Sequence, residues 1–138
     1  MGKTKSQPGE HAVRLIEYIL PGGWKVLAGR TDVDNEHLSL RVARPDDWWF
    51  HVRGMSGSHV VLQGPPGEDP DRQILKRAAA IAAYHSKARQ AGVVAVSCTR
   101  ARYVTKARDT KTGTVQIRKE TVFKVRPTLG EQPTTSGQ

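Results

Sequence analysis

The chain holds 138 residues, with 22 Lys/Arg against 13 Asp/Glu and a net charge of +9 with the histidines neutral. That length fits one domain and hardly two, and a single cysteine, Cys98, excludes an internal disulfide framework and any multi-cysteine zinc ribbon. No apolar stretch approaches the ~20 residues that span a bilayer, and Met1 to Glu10 is polar without the apolar segment of a signal peptide, so a cytoplasmic location is expected.

In chain order, residues 1–9 read as a polar tail, 10–127 as the domain and 128–138 as a second tail. Val13 to Leu20 and Trp24 to Ala28 are β-prone runs joined by Pro21-Gly22-Gly23, the signature of a hairpin. Leu38, Leu40 and Val42 alternate with Ser39, Arg41 and Ala43, the period of a half-buried strand. Trp48 to Arg53 and His59 to Gln63 follow as two short strands around Gly54 to Ser58, and the loop Gly64 to Pro70 stops the sheet. One long helix is expected from about Asp71, a suitable cap, to Ala91, with Gly92 as its stop; Ile74, Ala78, Ile81, Ala82, His85 and Ala88 share its inner face, and Arg72, Lys76, Lys87 and Gln90 the outer one. Val93 to Thr99, Tyr103 to Lys106, Thr114 to Arg118 and Thr121 to Val125 complete the strands. The expected fold is α+β: a small, mainly antiparallel sheet of about 6–8 short strands packed against one long helix, which covers one face.

The charge is distributed unevenly. Met1 to Asp71 carries eight Lys/Arg against ten Asp/Glu, whereas Arg72 to Gln138 carries fourteen against three, and between Arg72 and Lys111 ten basic residues face one acid, Asp109. A surface built from that segment favours polyanions.

Three blocks resemble the RNA-binding (NFACT-R) domain of the NFACT protein family. The first is Gly29-Arg30-Thr31-Asp32-Val33-Asp34-Asn35 leading into Leu38 and Ser39; the second is Asp47-Trp48-Trp49-Phe50-His51-Val52 with Gly57-Ser58-His59-Val60. The third is Ala82-Ala83-Tyr84-His85-Ser86-Lys87-Ala88-Arg89 with Val93, Val96, Tyr103 and Val104, then Gly113 and Val115. The resemblance covers about Leu15 to Pro127. It departs from the family pattern at Asp34, where a Gln is usual, and over Thr105 to Asp109, where the family has a Lys-Lys-Pro-like run. Long members of that family serve ribosome-associated quality control, holding tRNA on a split large subunit and directing tailing of the stalled chain. The resemblance implies RNA binding by a stand-alone version, with tRNA or ribosomal RNA as ligand, the large ribosomal subunit as partner, a separate protein to supply the missing modules, and no membrane.

Candidate contacts follow. Lys87, Arg89, Arg100, Arg102, Lys106, Arg108 and Lys111 are expected to neutralise phosphates, with Tyr103 among them as a stacking face; the alternative is a solvated face that keeps the protein soluble. Trp48, Trp49 and Phe50 cannot all point to one side of a strand, so either Trp49 is core with the other two covering the opposite side, or an exposed ring beside His51 stacks on a base or docks on a protein. His51 and His59 invite three readings: a metal site with His85 or Cys98, a nuclease working as paired general base and acid, or hydrogen bonds to backbone or Asp47 that fix the Gly54–Ser58 loop. Gly57-Ser58 forms a tight turn or a phosphate cradle, Arg30 reaches a phosphate or an aspartate such as Asp32 or Asp47, and Cys98 is a small buried residue. The expectation is RNA binding through Arg30, Trp49, Phe50, His51, Ser58, His59 and the basic set, without catalysis, metal or cofactor; the rivals are an RNA-processing or RNA-modification enzyme using His51 and His59, and a protein-interaction module docking through Trp48 and Phe50.

Overall fold

The computed structural model describes residues 14–129; the first tail, the start of the hairpin at Val13 and residues 130–138 lie outside the described residues. Strands β1 (Leu15–Leu20) and β2 (Trp24–Gly29) form the hairpin, helix α1 (Asp32–His37) runs into a π-helical turn (Leu38–Val42), and β3 (Trp48–Val52) and β4 (Val60–Gln63) precede helix α2 (Arg72–Tyr84). Then come β5 (Val94–Arg100), the short pair β6 (Val104–Thr105) and β7 (Gln116–Ile117), and β8 (Thr121–Val125). Six strands build one sheet in the order β1-β2-β4-β3-β5-β8, every neighbour antiparallel, while β6 and β7 form a second, two-stranded sheet.

Three expectations are corrected. The region expected as one long helix to Ala91 is a helix of 13 residues that ends at Tyr84, because the next residues are drawn to the Gly54–Ser58 loop. Ser58 N–H donates to the His85 carbonyl (2.8 Å) and Lys87 N–H to the Ser56 carbonyl (3.1 Å), forming an isolated antiparallel bridge between Gly57 and Ser86. Lys87 therefore lies beyond the helix instead of on its basic edge. Leu38 to Val42 is helical, not a strand: Thr31 caps α1 by accepting the Asp34 N–H on its hydroxyl (3.1 Å), and the helix continues into the π-turn. Finally, the sheet is covered on both faces.

On one face Val26, Phe50, Val52, Val60, Leu62 and Val96 pack against α2, whose residues from Ala78 to Ala83 are all buried. Small side chains let the helix settle close to the sheet, and Thr128 N–H reaches its Ala80 carbonyl (3.2 Å). On the other face Leu27, Trp49 and Val61 pack under Leu38 and Val104, so α1, its π-turn and the β6–β7 pair form a second layer.

Gly29, at the end of β2, is where the layers meet. A Cβ there would lie 2.1 Å from Asn35 Oδ1 and 2.9 Å from Asn35 N, and that same Oδ1 accepts the His59 N–H (3.0 Å). Gly29→Ala is therefore expected to push α1 off the sheet and to cost about 1–3 kcal/mol, the usual range for overpacking, read as a lower urea midpoint with unchanged slope.

A candidate nucleic-acid interface

Alternation along β3 divides its side chains. Trp48, Phe50 and Val52 point toward α2; Trp49 and His51 point to the second layer, opposite His59 at the entry to β4. The rings of Trp49, His51 and His59 meet there, with His51 lying on Trp49 (centroids 6.0 Å, 24° between planes) and His59 edge-on to both (5.3 and 5.4 Å). They floor a cleft of about 570 Å³ walled by the Gly54–Gly57 loop, the Lys111–Val115 turn, Ser97 and Glu120.

The floor is held by hydrogen bonds. Trp49 Nε1 donates to Ser39 Oγ (2.8 Å), and that hydroxyl also meets His59 Nδ1 (2.7 Å). Ser39 Oγ thus ties the indole to the imidazole and occupies its Nδ1. Burial, reinforced by repulsion from His51, lowers the His59 pKa from 6.5 to about 4, and burial lowers that of His51 too. Both rings are neutral at pH 7. The Lys111–Val115 wall is braced from α1: Glu36 accepts from Gly113 N–H (2.8 Å) and from Lys106 Nζ (2.9 Å), bonds that hold its carboxyl below the usual range.

A second groove of about 360 Å³ adjoins the cleft across Ser56 and Gly57, and Asp32 and Asn35 also line both. Its sides include Arg30, Ser58, Ser86, Lys87 and Arg89. Ser58 is committed to structure, its hydroxyl donating to the Gly29 carbonyl (2.6 Å). Arg30, Lys87 and Arg89 are exposed and, like Lys111 on the cleft wall, have no carboxylate partner among the described residues.

The structure therefore gathers Arg30, Trp49, His51, Ser58, His59, Lys87, Arg89 and Lys111 around two joined clefts. It leaves other candidates elsewhere. Phe50 is fully buried in the α2 core. Arg100 lies at the opposite end of β3, stacked on Trp48 (4.0 Å) and bonded to the Asp46 carbonyl and the Asp69 carboxylate, and Arg102 pairs with Asp46. Lys106 is spent on Glu36 and on the Lys111 and Thr114 carbonyls. Arg108 is exposed on the β6–β7 loop, and Tyr103 is half-buried beneath Arg118 (5.4 Å) and Lys119 (5.8 Å). Cys98 faces α2, away from His51, and burial pushes its thiol up to about 12; His85 bonds the Tyr18 hydroxyl (2.6 Å). These placements keep His85 and Cys98 away from the His51–His59 pair, and among the described residues no three His, Cys, Asp or Glu cluster as metal ligands. The sequence assigns no contact to Glu36, nor to Asn35 and Ser39 although both stand in the first resembling block; Thr31 three residues before Asp34 resembles a capping box and signals the helix that carries Asn35 and Glu36.

Fold and site together define a small α+β binding module with a neutral aromatic floor and a basic rim. The chain belongs to the NFACT protein RNA-binding domain family, whose model matches residues 16–119. It is 40% identical over 114 residues to the Rqc2 homolog RqcH of Bacillus subtilis, covering 83% of this chain and 19% of that protein, and 34% identical over 103 residues to RqcH of Streptococcus suis, covering 75% and 18%. A Drosophila melanogaster homolog of the ribosome quality control complex subunit NEMF matches at 32% over 56% of this chain and 8% of its own length. Among solved structures, the C-terminal part of the fibronectin/fibrinogen-binding protein from Streptococcus suis superposes with a TM-score of 0.79 at 31% identity, over 86% of this chain and 48% of that one. The chain thus spans about a fifth of the length of the RqcH relatives.

Proposed function

We propose that this chain binds tRNA or large-subunit ribosomal RNA in ribosome-associated quality control, through the joined clefts and their basic rim. The observation that carries this is the division of the cations: Arg30, Lys87, Arg89 and Lys111 ring the clefts without carboxylate partners among the described residues, whereas Arg100, Arg102 and Lys106 are neutralised by Asp69, Asp46 and Glu36. Phosphates seek the first set. The names of the RqcH and NEMF relatives support the cellular context; on this reading the chain works in the cytoplasm, with the large ribosomal subunit as partner and a further protein carrying the family's other modules.

Binding without turnover suits the floor. A paired-histidine nuclease needs one imidazolium as general acid, and His59, depressed to about 4 with Nδ1 occupied by Ser39, supplies none near neutrality. Docking through Trp48 and Phe50 finds no support in Phe50, which is buried, or in Trp48, which lies under Arg100. Cross-linking in the cells of origin, followed by sequencing of bound RNA and sedimentation through a ribosome gradient, is expected to return tRNA or large-subunit RNA with the chain in the large-subunit fractions. Recovery of messenger RNA alone, or sedimentation only at the top, would refute the proposal.

A further inference from the structure

The cleft has a feature that a phosphate-binding groove does not need. His51 and Arg53 are two residues apart on the same side of one extended segment, and the ladder continues past β3 because Arg53 N–H donates to the Ala95 carbonyl (3.0 Å). Two residues of strand advance about 6.6 Å, nearly twice the ~3.5 Å contact distance between carbon atoms. A strand step of that length leaves a gap with room for one planar ring between side chains held apart, with a face against each neighbour. Its inner side is finished, since His51 already lies on Trp49, which is buried with its indole nitrogen bonded to Ser39. Its outer side is held too: Arg53 Nε lies 3.6 Å from Glu120, whose carboxylate also receives the Ser97 hydroxyl. Ser97 is the cross-strand neighbour of His51, so an acceptor edge stands beside the gap.

Resting on the RNA-binding reading above, we infer that the cleft seats one unpaired nucleobase between the His51 ring and the Arg53 guanidinium, while the phosphates of the same strand pass Ser56-Gly57 to Arg30, Lys87 and Arg89. A phosphate does not suit the slot itself, because Glu120 would repel it and the imidazoles carry no charge at pH 7. A base does: it offers two faces for stacking and N–H groups for the carboxylate, and recognition of unpaired RNA commonly combines aromatic and guanidinium planes with polar edges. Paired bases cannot enter, since each is already stacked within its helix.

The test compares three RNA hairpins binding the full chain by fluorescence anisotropy at about 0.15 M salt: one with a single bulged guanosine, one fully paired, and one whose bulge is abasic. The bulged hairpin is expected to bind about tenfold tighter than either other, the order of one stacked base. Arg53→Lys, which keeps the charge and loses the plane, should narrow that ratio to about threefold or less, whereas Arg30→Ala should weaken all three hairpins alike. Equal binding of the three hairpins overturns the base slot while leaving RNA binding standing. If none binds, the RNA reading falls with it. An Arg53→Lys protein that keeps the full ratio also overturns the slot.

Discussion

Charge reversal at three rim positions together, Arg30→Glu, Lys87→Glu and Lys111→Glu, is expected to lower affinity for tRNA or ribosomal RNA by about 100-fold or more at 0.15 M salt, about 2.7 kcal/mol. All three side chains are exposed and, among the described residues, unpaired with carboxylates, so the fold should persist, to be checked by an unchanged urea midpoint. Each phosphate contact contributes about 0.7–0.9 to the slope of log K against log salt; losing three should flatten that slope by about two. The control lies at the other end of β3. Arg100→Gln with Arg102→Gln removes two charges as well, yet Asp69 and Asp46 already offset these, and affinity should fall less than about threefold. A control that loses as much as the rim variant would move the interface to that end of the sheet.

That contrast marks the limit of what charge along the chain tells. The excess of basic residues after Arg72 is a true property of the sequence, but Arg100 and Arg102 are neutralised by carboxylates from the first half, Asp46 and Asp69. Arg30, from the acidic half, joins Lys87 and Arg89 instead. Which cations escape a carboxylate partner among the described residues is decided by tertiary pairing, and composition does not report it. The aromatic run was legible in part: alternation required Trp49 and Phe50 to face opposite ways, and only the second layer, itself unforeseen, shows that both are covered.

Local signals read well where local physics governs. Asp71 caps α2 through Ile74 N–H (2.9 Å), and β8 spans the expected Thr121–Val125. The end of α2 is different, since helix propensity favours continuation to Ala91 while the bridge between Gly57 and Ser86, about thirty residues apart in sequence, stops it at Tyr84. The same long-range pairing creates the strap between the two clefts. The segment where long-range pairing overrides local propensity is thus also where the two clefts join. At Leu38 to Val42 three alternating apolar residues fit a strand, but Thr31 and Asp34 upstream had already committed the chain to a helix.

Acid should weaken the fold through the cleft floor. His59 is 5% exposed, and its pKa falls from 6.5 to about 4 through burial, then repulsion from His51. Between those values the unfolded chain binds a proton that the folded chain refuses, so unfolding becomes easier as pH falls: stability from this group is complete above pH 6.5 and declines toward pH 4. At about 1.4 kcal/mol per pH unit the loss approaches 3 kcal/mol. His51 and His85, also lowered by burial, add to the slope, whereas Glu36, held down by Gly113 N–H and Lys106, contributes only below its ordinary value of 4.5. Urea midpoints taken from pH 7 to pH 4 should therefore fall through this window, and His59→Gln should fall less steeply whatever its stability at pH 7. A flat profile from pH 6.5 to 4.5 would show that the ring takes up its proton in place. Protonation would also oblige Nδ1 to donate to Ser39 Oγ, an oxygen that already accepts from Trp49 Nε1, so RNA affinity should decline with the midpoint instead of rising with the added charge.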